Sequence, residues 1–140
     1  MRRVTFDTNV YVSALTHQGL AARLLLMASE GAFALQISDA ILDEIVEVLE
    51  RNFFWPQEEL QTVRPTLLSI AQHVTPHLEL SIVERDPDDD RILECSQASR
   101  SDYIVTSDKH LLNLKQYAGA RIIQPAEFLA LLQRLTPEES

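Results

Sequence analysis

Several things a chain of this kind might carry are scarce or missing. There is one cysteine, Cys95, in 140 residues, which excludes an internal disulfide and any cysteine-built metal site. It falls within a helical stretch and reads as a small core residue rather than a nucleophile. There is no repeat, low-complexity tract or linker, and only the terminal "TPEES" looks frayed. No apolar run approaches the roughly 20 residues of a membrane span, and "MRRVTFDTNV" enters a strand-like pattern without a signal-peptide apolar region. The expectation is a cytoplasmic protein with no membrane contact. Basic charge is also short: 12 Lys and Arg stand against 21 Asp and Glu, a net charge of −9. That balance argues against a broad, nonspecific coat on nucleic acid, but not against an enzyme that touches a few nucleotides, and it suits a basic partner.

What is present is a hydrophobic content of 46%, enough for one sizeable core in a chain too short for two ordinary domains, so residues 1–140 read as a single domain. Element types alternate. "RVTF" is a strand candidate, and "TNVYVSAL" and "GLAARLLLMASEG" are helices on either side of a break at Gly19. "FALQIS" alternates as a strand, and "SDAILDEIVEVLERNFFW" repeats Ile41, Leu42, Ile45, Val46 and Leu49 at helical spacing behind a cap at Ser38 or Asp39. "QEELQTVRPTLLSIAQHV" is helical with a kink or break at Pro65. "LELSIV" reads as a strand, "DDDRILECSQASRS" as a helix, "DYIVTS" as a buried strand and "DKHLLNL" as a short turn. "ARIIQ" is a last strand and "PAEFLALLQRL" a last helix. Strands separated by helices of this length imply parallel crossovers, hence a three-layer α/β/α fold with a central, mostly parallel sheet. Such sheets place their chemistry beyond the carboxyl ends of the strands.

Carboxylates gather at those ends. Asp7 directly follows "RVTF" and Asp108 directly follows "DYIVTS"; taken singly, each reads first as an N-cap on the next helix. Glu44 lies at the margin of its helix's apolar stripe, whereas Asp43, Glu47 and Glu50 fall on the opposite, solvated face. The run "DPDDD" at 86–90 opens the helix before "DYIVTS", with Asp86 able to cap it and Arg85 and Arg91 bracketing it. Asp7, Glu44, one or two of the clustered Asp and Asp108 would form a site of several negative charges. An all-oxygen donor set of that charge favours Mg²⁺ or Mn²⁺. His17, His73, His77 and His110 are scattered and show no metal-ligand spacing; His110 alone draws notice, because it follows Asp108 and Lys109. Arg2, Arg3, Arg23, Lys109 and Lys115 are candidate phosphate contacts, and Tyr11 or Tyr103 a candidate base-stacking surface.

The order "FDTNVYVSAL", "SDAILDEIVEVL", "DPDDDRILECSQAS" and "DYIVTSDKHLLNL" resembles the PIN domain, and within it the group forming the toxin components of toxin-antitoxin systems. The resemblance runs from residue 3 to about residue 130. It implies a metal-dependent ribonuclease whose catalytic and metal-binding acids fall on Asp7, Glu44, Asp90 and Asp108, with Asp89 the alternative to Asp90. It implies that Thr8, Asn9, Thr106 and Ser107 orient ligands or the substrate phosphate. It further implies Mg²⁺ or Mn²⁺ as cofactor, an RNA substrate, an antitoxin partner with a basic segment and a homodimer, for which "NFFWP" and "FLALLQRL" are candidate patches.

Three rivals remain. A dehalogenase-type Mg²⁺ phosphatase wants a second Asp two residues after its nucleophile, where this chain has Asn9. A receiver domain wants an acidic pair on an earlier strand end and a mid-chain acceptor, and neither is found. A non-catalytic binding or interaction domain of the same fold is the rival of another class.

Overall fold

The computed structural model describes residues 1–77 and 87–135, the side chains of Pro87, Asp88 and Leu135 aside. The elements in chain order are β1 (Arg3–Phe6), α1 (Thr8–Thr16), α2 (Leu20–Ser29), β2 (Ala34–Ser38), α3 (Asp39–Phe53), α4 (Gln57–Ile70) and β3 (Gln72–Val74). There follow α5 (Pro87–Ser99), β4 (Tyr103–Val105), α6 (Lys109–Leu112), β5 (Gln116–Tyr117), β6 (Ala120–Ile123) and α7 (Pro125–Leu135).

Among the described residues six strands form one sheet in the order β3-β2-β1-β4-β6-β5. All neighbouring pairs are parallel except β5 with β6. From β1 the chain builds outward first to β2 and β3, then returns to lay β4 on β1's other side. The crevice between β1 and β4 is therefore the point where strand order reverses, the position at which open α/β sheets bind ligands.

Both faces of the sheet are covered, as a parallel sheet requires. On one face Thr5 of β1 meets Cys95 of α5 and Ser101, which follows that helix. On the other, Phe6 packs on Tyr11 and Phe33, and Phe33 meets Phe128 of α7 edge-on at 5.0 Å. Val4, Phe6, Ile37, Leu93, Ile104 and Phe128 are wholly buried. Cys95 is buried as well, and burial pushes its thiol up to about 12 although hydrogen bonds from Thr5 and Ser38 pull the other way.

Several local expectations change. Ser38, not Asp39, caps α3, its hydroxyl accepting from the Ile41 N–H at 3.3 Å. Helix α4 continues through Pro65 without a break. Pro65 and Gln61, whose carbonyl loses its helical donor there, both lie on the solvent face, where water can satisfy the freed group. The end of the presumed helix, Gln72–Val74, is instead the edge strand β3; Gln36 and Gln72 join it to β2 by a side-chain hydrogen bond of 2.8 Å. "DKHLLNL" contains a short helix, α6, and β5 has no counterpart in the sequence reading. The "LELSIV" strand, Arg85, the Asp86 cap and the frayed end at 136–140 lie outside the described residues.

Candidate functional site

The carboxyl ends of β1 and β4 carry Asp7 and Asp108 to one rim. The strands pair in register through Phe6 and Val105, and the Asp7 N–H extends the ladder by donating to the Val105 carbonyl at 2.9 Å. Asp7 then turns into α1 as its N-cap, one oxygen accepting weakly from the Asn9 N–H at 3.4 Å. Its other oxygen accepts from the Thr106 hydroxyl at 2.7 Å. That same hydroxyl accepts from the Asp108 N–H at 2.9 Å. Thr106 is thus a buried bridge that sets both acids at once.

Asp108 caps α6, its Oδ1 accepting from the His110 N–H at 2.7 Å. Its second oxygen accepts no hydrogen bond among the described residues. A cap uses one oxygen of two, so on Asp7 the other is left for Thr106 and on Asp108 the other is left over from the cap. Asp7 and Asp108 line a single cleft of about 320 Å³ together with Asn9 and Ser107.

Glu44 is half-buried on α3, and its Oε1 accepts from the Thr8 hydroxyl at 2.7 Å. Since Thr8 follows Asp7, this bond ties Glu44 to the same corner of the molecule. Its open side faces a second concavity, of about 350 Å³, shared with Asp43, Glu47 and Arg91. Asp43, Glu47 and Glu50 are exposed, as their helix face predicts.

Asp89 and Asp90 are buried in the first turns of α5. The far end of α5 lies at the opposite edge of the sheet, where Asp102 bonds the backbone of Arg3. Arg91, next to Asp90, lines the concavity of Glu44, so this helix start belongs to the Asp7 rim; Arg91 also pairs with the buried Glu94 at 2.8 Å.

The four predicted acids therefore share one rim, and two of them share one cleft. Among the described residues no group of three or more His, Cys, Asp or Glu side chains is gathered closely enough to hold a metal ion. The donor chemistry fits a hard divalent cation, being carboxylate and hydroxyl oxygen throughout. The separation of Glu44 from the Asp7–Asp108 cleft does not by itself make a ligand shell.

Of the four polar neighbours, Asn9 and Ser107 are exposed and face the cleft. Thr8 and Thr106 are buried and spend their hydroxyls on Glu44 and Asp7. Tyr11 has no exposed surface and donates to the Gln36 carbonyl at 3.3 Å; burial, reinforced by the Cys95 thiol, holds its phenol well above the ordinary range. It cannot stack a base. Tyr103 begins β4, at the edge opposite the acids, and is covered by Phe128 and the Arg2 guanidinium. Arg2 and Arg3 share that edge and are no phosphate contacts for this cleft. Lys109, beside Asp108, is exposed at the site.

The sequence reading missed Ser13, Leu20 and Pro125 among the residues that line the cleft. Ser13 was findable, standing one helical turn after Asn9. Leu20 and Pro125 come from elements whose approach to α1 only the fold reveals.

A family model described as the PIN domain matches residues 3–110. No curated protein matches the sequence. Among solved structures, the chain is similar to one from VapBC2 of Rickettsia felis bound to a DNA fragment from its promoter, with TM-score 0.62 and 17% identity over 87% of this chain and 98% of that one. It is also similar to one from DNA-bound VapBC of Salmonella typhimurium, with TM-score 0.60 and 18% identity over 89% of this chain and 99% of that one.

Proposed function

The chain belongs to the PIN domain family, and on that premise we propose that it is a Mg²⁺- or Mn²⁺-dependent ribonuclease, the toxin of a toxin-antitoxin pair. One observation carries the proposal: Asp7 and Asp108 emerge from adjacent parallel strands at the switch point of the sheet, share one cleft and are oriented by one hydroxyl. Asp7 and Asp108 would hold the cation, with Glu44 and Asp90 as the flanking acids. When bound, such an ion lowers the pKa of water and neutralises charge on a phosphodiester.

The chain's own residues supply orientation. Thr106 fixes the Asp7 carboxylate and the Asp108 backbone, Thr8 fixes Glu44, and Asn9 and Ser107 present polar groups to whatever enters the cleft. Lys109 adds a cation for a phosphate beside Asp108. An acidic rim of this kind also suits an antitoxin whose basic segment seats in it, a partnership supported by the likeness of fold to VapBC structures. Pairing of two copies would use "NFFWP", where Phe54 is 83% exposed, rather than "FLALLQRL", whose Phe128 and Leu132 are core. Action in the cytoplasm agrees with the absence, among the described residues, of a helix long and apolar enough to cross a membrane.

A second reading, a non-catalytic binding domain of the same fold, is favoured by the placement of Glu44 in a different concavity from Asp7 and Asp108. Cleavage of single-stranded RNA with Mn²⁺ separates the two. The wild-type protein should cleave and Asp7→Asn should lose at least about a hundredfold in rate, while Asn keeps the helix cap and therefore the fold. Equal cleavage by both proteins would assign the activity elsewhere.

A further inference from the structure

We propose that the far half of the Asp7–Asp108 cleft is a seat for one unstacked nucleobase, with Leu20, Ala21 and Pro125 as its apolar walls and Asn9 and Ser13 as readers of its edge. The inference rests on the nuclease reading of the cleft's acidic half and adds the specificity subsite that this half lacks.

The cleft is divided by chemistry. Carboxylates enter the lining from the ends of β1 and β4, and aliphatic groups enter it from the start of α2 and the first residue of α7. Asn9 and Ser13 sit four residues apart on α1 and so project side by side, one turn apart. Both are exposed, both line the cleft, and neither side chain makes a hydrogen bond among the described residues. Two uncommitted polar groups above an aliphatic surface match a ligand with apolar faces and a hydrogen-bonding edge. A nucleobase has that form, and the base beside a bound phosphate is the one that would reach this wall.

Size supports a single base. At about 320 Å³ the cleft lies near the lower limit of small-ligand pockets, roughly 300–1,000 Å³, which leaves room for about one nucleotide. The tyrosines suggested by the sequence lie in the core or at the opposite edge, so an aliphatic clamp takes the place of aromatic stacking.

The test is an NMR titration of the whole chain, in Mg²⁺, with AMP, GMP, CMP and UMP and with ribose 5-phosphate, which has the phosphate and sugar but no base. At least one nucleotide should shift the Ser13 and Leu20 amides saturably, and ribose 5-phosphate should leave them in place. Ser13→Val should weaken that nucleotide about three- to tenfold, the worth of one neutral hydrogen bond. Leu20→Glu should weaken it by at least about tenfold, by placing charge on the wall. Both positions are outside the sheet, and unchanged melting temperatures would show that the variants fold. The seat is overturned if ribose 5-phosphate moves the same amides with the same affinity, if no nucleotide moves them, or if both folded variants bind as wild type. RNA cleavage by the wild type is scored separately. A cleaving protein whose Ser13 and Leu20 ignore nucleotides removes the seat alone; nucleotide binding there without divalent-dependent cleavage keeps the seat and removes the nuclease.

Discussion

Thr106 shows how much one buried hydroxyl can decide. It donates a hydrogen bond to Asp7 and accepts one from the Asp108 N–H, so two strand ends share a single orienting group. Thr106→Val should cost about 1–3 kcal/mol in urea denaturation, because a buried carboxylate oxygen and an N–H lose their partner together. Divalent-dependent cleavage should fall by about tenfold or more through misplaced acids, and Thr106→Ser, which keeps the hydroxyl, should restore most of it. A Val variant as active as wild type would remove the positioning role. Asp7 and Asp108 were legible in the sequence because each directly follows an apolar strand. The hydroxyl between them was legible only as a neighbour, since its partner is 99 positions away. Glu44 was legible only as a residue at the margin of its helix's apolar stripe, and the Thr8 contact ties it to the Asp7 corner.

At the scale of elements, the sheet's outer edge is pinned by charge. Asp39 at the start of α3 accepts from Arg64 of α4 and from His73 of β3, the latter at 2.9 Å. These bonds, the Arg64 guanidinium foremost, hold the Asp39 carboxyl below the usual carboxylate range. A depressed acid stabilises the fold above its unfolded pKa of about 3.9, and that contribution is lost as pH falls through the lower folded value. The stability difference between wild type and Asp39→Asn should therefore be present at pH 5 and vanish on acidification below about pH 4. The groups are largely exposed, so the difference should be no more than about 0.5 kcal/mol. A difference that grew on acidification would contradict the pairing. Pro65 makes a second element-scale case. It interrupts one hydrogen bond of a continuous helix, and Pro65→Ala should raise thermal stability by up to about 3 kcal/mol; a loss of stability would mean the proline is needed where it stands. The long helices and the four apolar strands β1, β2, β4 and β6 were readable from apolar patterning. Strands β3 and β5 were not, because Gln72–Val74 and Gln116–Tyr117 are short and mostly polar and exist only through pairing with β2 and β6.

For the whole molecule, a chain of net charge −9 concentrates carboxylates at the one rim where the parallel sheet opens to ligands. The three-layer architecture followed from the alternation of strand and helix and is the fold observed. The convergence of the acids was legible as far as the rim, because strand ends and helix starts of a parallel sheet all face one way. It was not legible to the level of a ligand shell, since that depends on side-chain positions in which Thr8 takes up one oxygen of Glu44 and Thr106 one oxygen of Asp7. The most direct measurement is therefore a Mn²⁺ titration followed by thermal melting, comparing wild type with Asp108→Asn, which preserves the cap on α6. Metal that binds only the folded chain should raise the wild-type melting temperature in a saturable way, and the variant should lose most of that rise. Melting curves unchanged across millimolar Mn²⁺, or an equal rise in both proteins, would contradict a metal site at Asp7 and Asp108.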